Sequence, residues 1–429
     1  MKRWKRLAVG AAALAVATSG CGMGGSGGSG GGQGDDKTLT VWLMDGSAPK
    51  GFTDDLNREF EGQHPGVKVK YEIQQWKGIQ DKLTTALASN NPPDVIELGN
   101  TQTARFAAEN TLLDLTGSAK DLAGDQWLGG LKESATWDGK QYAMPFYAAN
   151  RTVIYRKDMF EKAGVTKTPT SRAEWLDAIA KLRAANASDP EFEALYLPGQ
   201  SWYVWLSFLW DEGGDVAKQD GKSFKATLDS AEAKAAVEFY KQLVDASGTK
   251  APKDQDEATP QQFEIFAKGK TAMMIALPWE HGNAVKADPK LKDVTAAFPV
   301  PSKEAGKSAP VFLGGSNLAI PAGSKKQDLA KDYLKLLSGV KFQNKFAKES
   351  GAVPGTSKDV SALATDPVAG PMALAAQNGR VTPTTPKWGP VEAGQNPLKD
   401  MLTAALTGQK SPADAARDAN AKIGQALGG

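Results

Sequence analysis

Cysteine is all but missing: Cys21 is the single one among 429 residues. One thiol excludes an intramolecular disulfide, a zinc site built on cysteines and a CxxC redox pair. Histidine is nearly as scarce, with only His64 and His281, far apart and without a ligand-spaced partner. No histidine metal centre, Ser-His-Asp apparatus or cofactor is therefore expected, and His64, just ahead of Pro65, reads as a solvated loop residue. An apolar stretch of membrane-spanning length is absent near the N-terminus, where the run Leu7 to Ala17 is about half of what a spanning helix needs. Excess charge is absent as well. Of 51 Lys+Arg, Lys2, Arg3, Lys5 and Arg6 fall in the first 20 residues, so 47 remain against 49 Asp+Glu. A mature charge near −2 gives no footprint for nucleic acid.

The N-terminus carries its own instructions. Basic residues precede the apolar run, and Thr18-Ser19-Gly20-Cys21 follows it. Residues 1–20 therefore read as a secretory signal and are set apart from the fold. Small residues directly before a cysteine resemble the lipobox of bacterial lipoproteins, which implies a diacylated Cys21 and a place on the outer face of the cell membrane. The alternative is cleavage at a nearby small residue and free secretion. From Cys21 to residue 36 the chain is mostly glycine and serine, a flexible coil that holds the body roughly 20 Å from its anchor.

What remains is longer than one core usually organises, which predicts two lobes. Thr38 to Leu43 reads as a strand, Phe52 to Gln63 as a helix with Phe52, Leu56 and Phe60 on one face, and Val67 to Ile73 as a second strand. Lys77 to Ser89 is helical, Asn91-Pro92-Pro93 stops it, and Asp94 to Leu98 is a third strand. Such alternation predicts a parallel sheet covered by helices. Ligands of such sheets bind beyond the carboxyl ends of the strands, here at Met44 to Ser47 and Gly99 to Gln102. Farther on, Leu176 to Leu182, Ser230 to Ala246, Leu329 to Leu337, Phe342 to Phe346 and Pro397 to Leu427 are helical, the last broken at Gly408.

Several segments together resemble the family of extracellular solute-binding proteins that includes maltose-binding protein. They are Asn91-Pro92-Pro93-Asp94-Val95, Trp137 to Pro145, Asn150 to Gly164 with Ile154-Tyr155-Arg156-Lys157-Asp158, Phe266 to Met273, and Gly314-Gly315-Ser316-Asn317-Leu318-Ala319-Ile320. They run in order through roughly residues 38 to 425. The resemblance implies an α/β fold of the two-lobed periplasmic-binding-protein type (type II), with a hinge and a ligand cleft between lobes. By analogy lobe one takes residues 37–151 and 312–361, and lobe two 152–311 and 362–429.

Ten of the 11 tryptophans lie beyond the signal. An indole face suits the C–H face of a pyranose while neighbouring amides and carboxylates take its hydroxyls; the competing role is core packing. Trp279 and Glu280 emerge where the strand Ala272 to Ala276 ends, and the resemblance implies that this tryptophan stacks on sugar. Glu280 is expected to accept from hydroxyls. Trp388, flanked by Pro386 and Pro390, reads as a rigid aromatic platform, and Trp202, at the end of a glycine-containing loop, as a ligand face. Trp205, Leu206, Leu209 and Trp210 read as core. In lobe one Asp45, Asn100 and Thr101 stand at strand ends and Trp76 at a helix start. Tyr147 lies where the family crosses between lobes, and Gly314, Gly315 and Ser316 offer backbone amides at the second crossing.

The function expected is sugar capture for an ABC importer, by a monomer that is not an enzyme. It would close around an oligosaccharide and deliver it to a two-subunit permease served by a separate cytoplasmic ATPase. The residues do not give the sugar; similarity to actinobacterial oligosaccharide importers implies N,N′-diacetylchitobiose first, with malto-oligosaccharides, cellobiose and xylobiose behind it. The rivals are a secreted glycoside hydrolase, which needs two carboxylates across the scissile bond, and a binding protein for peptides or polyamines.

Overall fold

The computed structural model describes residues 37–221, 223–355 and 359–428. The signal 1–20, Cys21 and the tether to residue 36 lie outside them.

Strands β1 (Thr38–Met44), β2 (Lys68–Gln74) and β3 (Val95–Gly99) pair in parallel about β1. The exposure of each explains its place. Every residue of β3 is buried, as an interior strand between two covered faces requires. By contrast β2 alternates, with Lys68 and Lys70 facing out, and charged residues suit it to the sheet edge it occupies. The helix Lys50–Gln63 buries Phe52, Leu56 and Phe60. These rings meet Phe342, Phe346 and Tyr333 edge-on at 5.1–6.1 Å, so the first helix is tied to helices far along the chain.

After β4 (Met144–Ala149) the chain leaves this sheet. Past Asn150 and Arg151 it enters β5 (Thr152–Arg156), the centre of an antiparallel sheet with β6 (Met273–Ala276) and β7 (Thr295–Phe298), in the order β6-β5-β7. It returns through β8 (Gly314–Ala319) and β9 (Val353–Pro354), completing a six-stranded sheet ordered β9-β4-β8-β3-β1-β2. It then crosses again, because the helix Ala369–Ala376 packs on β5 and β7. The C-terminal helices Pro397–Leu406 and Pro412–Leu427 pack on Ala231–Ser247. The parallel arrangement expected of the first three strands is present. The alternation did not foretell that β8 inserts antiparallel between β3 and β4; its partners are brought in from hundreds of residues away.

Candidate ligand cleft

The ends of β1, β2 and β6, with Tyr147 of β4 and Glu349, Ser350 and Ala352 ahead of β9, converge on one cavity of about 520 Å³. Beyond β1 the loop Asp45–Pro49 turns through Gly46 at φ +77° and supplies one wall. Trp76 follows β2, and Gly78 at φ +76° then opens the helix Ile79–Leu87. Trp279 follows β6 as the second residue of the helix Pro278–Ala287, where Pro278 sets the first turn. One helical turn beyond it, Asn283 faces the same space, then Lys286. Trp76 and Trp279 are 41% and 43% exposed, and no other tryptophan among the described residues is classed as exposed. Tyr147 also lines the cavity, though it is mostly buried, and Asp45 accepts a 3.3 Å hydrogen bond from Gln75.

A second cavity, of about 310 Å³, has Gln80, Thr101 and Gln102 on one side and Trp202, Tyr203, Asp256, Glu257, Glu392 and Lys399 on the other. Here the aromatic faces are already taken. Trp202 stacks on Tyr203 at 3.8 Å, Tyr203 stacks on Phe312 at 4.5 Å, and the Arg151 guanidinium lies 4.8 Å from the Tyr203 ring centre. Arg151 pairs with Glu257, Lys399 with Asp256 at 2.7 Å, and the Tyr203 hydroxyl donates to Glu392. Burial raises the Glu392 carboxyl above its ordinary range and the Tyr203 phenol far above its own.

Several residues singled out in the sequence are used differently here. Trp388 is fully buried and lines neither cavity. It opens the helix Trp388–Ala393, with its amide donating to Thr385 at 3.0 Å and its ring 6.5 Å from that of Trp202; the prolines shape a core turn rather than an open platform. Trp202 borders the smaller cavity but is only 3% exposed. Glu280 turns into its own lobe, accepting from the Leu277 amide at 2.8 Å and from Gln262 at 2.7 Å as the third residue of its helix. Burial pushes its carboxyl up to about 7. Asn100 donates its side-chain amide to the Leu313 carbonyl at 2.5 Å. Gly314, Gly315 and Ser316 spend their register on Ala149, Ala148 and Tyr147 within the sheet. Gly315 stands at φ +115°, and a Cβ there would meet the Tyr147 carbonyl oxygen at 2.1 Å, so glycine is required by close approach. Trp205 is core, as its helical stripe indicates. Asn283, Lys286, Tyr203, Arg151 and Glu392 were missed. Asn283 alone had a local signal, lying four residues after Trp279 on one helix face.

Residues 42–344 match the bacterial extracellular solute-binding protein family. The chain belongs to that family. It is 43% identical, over all of its own length and 99% of the relative's, to the diacetylchitobiose binding protein DasA of Streptomyces coelicolor. It is 23% identical to the maltodextrin-binding protein MdxE of Bacillus subtilis, over 89% of this chain and 88% of that one. Among solved structures, the sugar-binding protein MalE of Xanthomonas citri superposes with a TM-score of 0.80 at 22% identity, covering 91% of this chain and 97% of that one. The GacH receptor of Streptomyces glaucescens, solved unliganded and with acarbose, gives 0.75 at 25% identity over 91% and 98%. The fold is thus the two-lobed α/β fold of the sugar-binding proteins. The family is one of extracellular binding proteins. Its six-stranded lobe supplies Asp45 and Trp76 to the larger cavity, and its three-stranded lobe supplies Trp279 and Asn283.

Proposed function

We propose that this chain captures an oligosaccharide between its lobes, taken as residues 37–151 plus 312–361 and 152–311 plus 362–429, and hands it to an ABC permease. The observation that carries this reading is the pairing of exposed tryptophans: Trp76 and Trp279, one from each lobe, open onto one cavity. Open aromatic faces gathered on one concave site are the mark of a ligand surface, and a pyranose ring offers the matching C–H face. Asp45, Asn283, Lys286 and Glu349 stand around them to take hydroxyls. A volume of about 520 Å³ lies within the usual span for small-molecule sites. Contact from both sides exists only with the lobes together, so sugar favours the closed form.

The 43% relative is named for binding diacetylchitobiose, which supports N,N′-diacetylchitobiose as the sugar here. Membership of the extracellular solute-binding family supports a role in an ABC importer; to this reading belong a monomeric capture protein attached through a lipid on Cys21, two permease subunits and a separate ATPase. A glycosidase would need a raised carboxyl facing its substrate. Glu97 and Glu280, pushed up to about 7, line neither cavity, and Glu392, raised and lining the smaller one, already accepts from the Tyr203 hydroxyl, which favours binding without catalysis.

The test is calorimetric titration of the mature chain with N,N′-diacetylchitobiose, maltose, cellobiose and xylobiose. Saturable heat with the first, with a Kd roughly thirtyfold higher in Trp279→Ala, is expected. Heat with none of them would overturn the reading, and release of reducing ends would overturn the binding-only role.

A further inference from the structure

Glu97 sits in the middle of β3, a strand otherwise apolar, and is fully buried. Its Oε1 accepts from Ser316 Oγ at 2.6 Å. Its Oε2 accepts from Ser47 Oγ at 2.6 Å and from the Met44 amide at 2.7 Å. The Tyr147 hydroxyl is a further donor. An ionised carboxylate offers about four acceptor positions, and donors from β1 and its loop, from β4 and from β8 converge on them. Among the described residues no cation pairs with it in an ion pair. The titratable group facing it is Tyr147, whose phenol is itself pushed far up by burial; Ser47, Ser316 and the Met44 amide do not titrate. Burial holds the Glu97 carboxyl up near 7.

An anion buried without a countercharge destabilises the lobe, and an apolar residue would suit β3 as Val95 and Leu98 do. What Glu97 adds is a shared polar anchor for three segments, of which β4 and β8 also meet through the Tyr147–Ser316 hydrogen bond and apolar packing. Ser47 belongs to the loop Asp45–Pro49 that lines the larger cavity, and Tyr147 is part of the same wall. Ser316 follows Gly315 on the second crossing.

We propose that Glu97 is a positioning residue for sugar capture: without touching sugar, its carboxylate holds the Asp45–Pro49 loop, the Tyr147 ring and β8 in the arrangement that forms the first-lobe wall. The proposal rests on the larger cavity being the sugar site. Gln at this position keeps the shape but offers one acceptor oxygen and two new donors, so donors now satisfied would face one another. The acid form likewise carries a proton where a donor already points.

The experiment combines titration of N,N′-diacetylchitobiose into wild type, Glu97→Gln and Ser47→Ala, at pH 6 and pH 8, with hydrogen exchange of the amides from Met44 to Ala48. Losing hydrogen bonds to a charged group predicts a Kd at pH 8 about tenfold higher in Glu97→Gln, and roughly threefold higher in Ser47→Ala. Wild-type Kd should rise several-fold on going to pH 6 while that of Glu97→Gln stays level. The Met44 to Ala48 amides should exchange about tenfold faster in both variants, with the helix Ala231–Ser247 still protected. Unchanged Kd and exchange in a folded Glu97→Gln, or a pH response equal to wild type, would overturn the proposal. If Glu97→Gln does not fold, Ser47→Ala decides by the same readings. If wild type takes up none of the sugars, the sugar reading fails, and the exchange data alone then support or overturn Glu97 as the tie that holds this wall.

Discussion

Two of the cavities among the described residues, the one at Trp76 and Trp279 and the one at Trp202 and Tyr203, are both lined by aromatic and acidic side chains and differ in how far those are already paired. In the smaller one Trp202, Tyr203 and Phe312 cover each other's faces, Arg151 caps the stack, and the carboxylates of Asp256 and Glu257 have cationic partners. In the larger one the indoles of Trp76 and Trp279 remain open, and Asp45 makes only a long bond to Gln75. Aromatic surface satisfied internally stabilises the fold; on the function proposed above, aromatic surface left open across two lobes is kept for the ligand. Substitutions in the two places should therefore fail in different assays.

The largest effect is expected in the core behind the smaller cavity, where the Trp388 ring lies 6.5 Å from that of Trp202. Trp388→Ala removes a fully buried indole and leaves a cavity in the second-lobe core, which should lower stability by about 3–5 kcal/mol. Thermal unfolding should show a fall in Tm of many degrees. A small Tm change with lost sugar binding would instead return Trp388 to the ligand and erase the contrast between the cavities.

Next comes the open cavity. Trp279→Ala should weaken binding of N,N′-diacetylchitobiose by about 2 kcal/mol, roughly thirtyfold in Kd, with Tm nearly unchanged because the ring is 43% exposed. Trp76→Ala should do the same from the other lobe. If only one of the pair matters, sugar lies against one lobe rather than between both.

The contrast also marks where the sequence was legible. The first three strands and their helices followed from local periodicity, and Trp279 could be placed because a strand visibly ends at Ala276. Trp202 and Trp388 offered the same local cues of glycine and proline, yet both are buried. What covers Trp202 is Tyr203, Phe312 and Trp388, two of them more than 100 residues away, and no window of sequence contains that contact. Glu280 is a mixed case, with a local capping bond from the Leu277 amide and a second partner, Gln262, on the preceding helix, while Glu97 is hidden in what reads as an ordinary buried strand.

A smaller effect is shared by both lobes. Burial raises Glu97 and Glu280 from 4.5 to about 7. A carboxyl raised in the folded state binds its proton more tightly there than in the unfolded chain. Its contribution is fully present below about pH 4.5 and is lost as pH rises through 7. Between pH 6 and pH 8 each should remove roughly 1 kcal/mol of stability. The unfolding midpoint in urea should therefore be higher at pH 6 than at pH 8, and Glu280→Gln should flatten part of that slope. The affinity for sugar is expected to move the other way through Glu97, so the two measurements separate folding from binding.

The smallest effect tests whether the open cavity is governed by its aromatic faces or by its charges. Asp45 is exposed at the loop tip, where water competes for its carboxylate and salt screens it. Asp45→Asn keeps an acceptor oxygen for a sugar hydroxyl and removes only the charge. A charge-assisted bond at such a rim contributes little beyond a neutral one, so Kd should rise about two- to fivefold, under roughly 1 kcal/mol. Because the ligand is neutral, the wild-type Kd should hardly change with added salt. A loss in Asp45→Asn as large as that in Trp279→Ala, together with strong salt dependence, would mean that the cleft selects a cationic ligand, and the open tryptophans would then be cation platforms instead of sugar platforms.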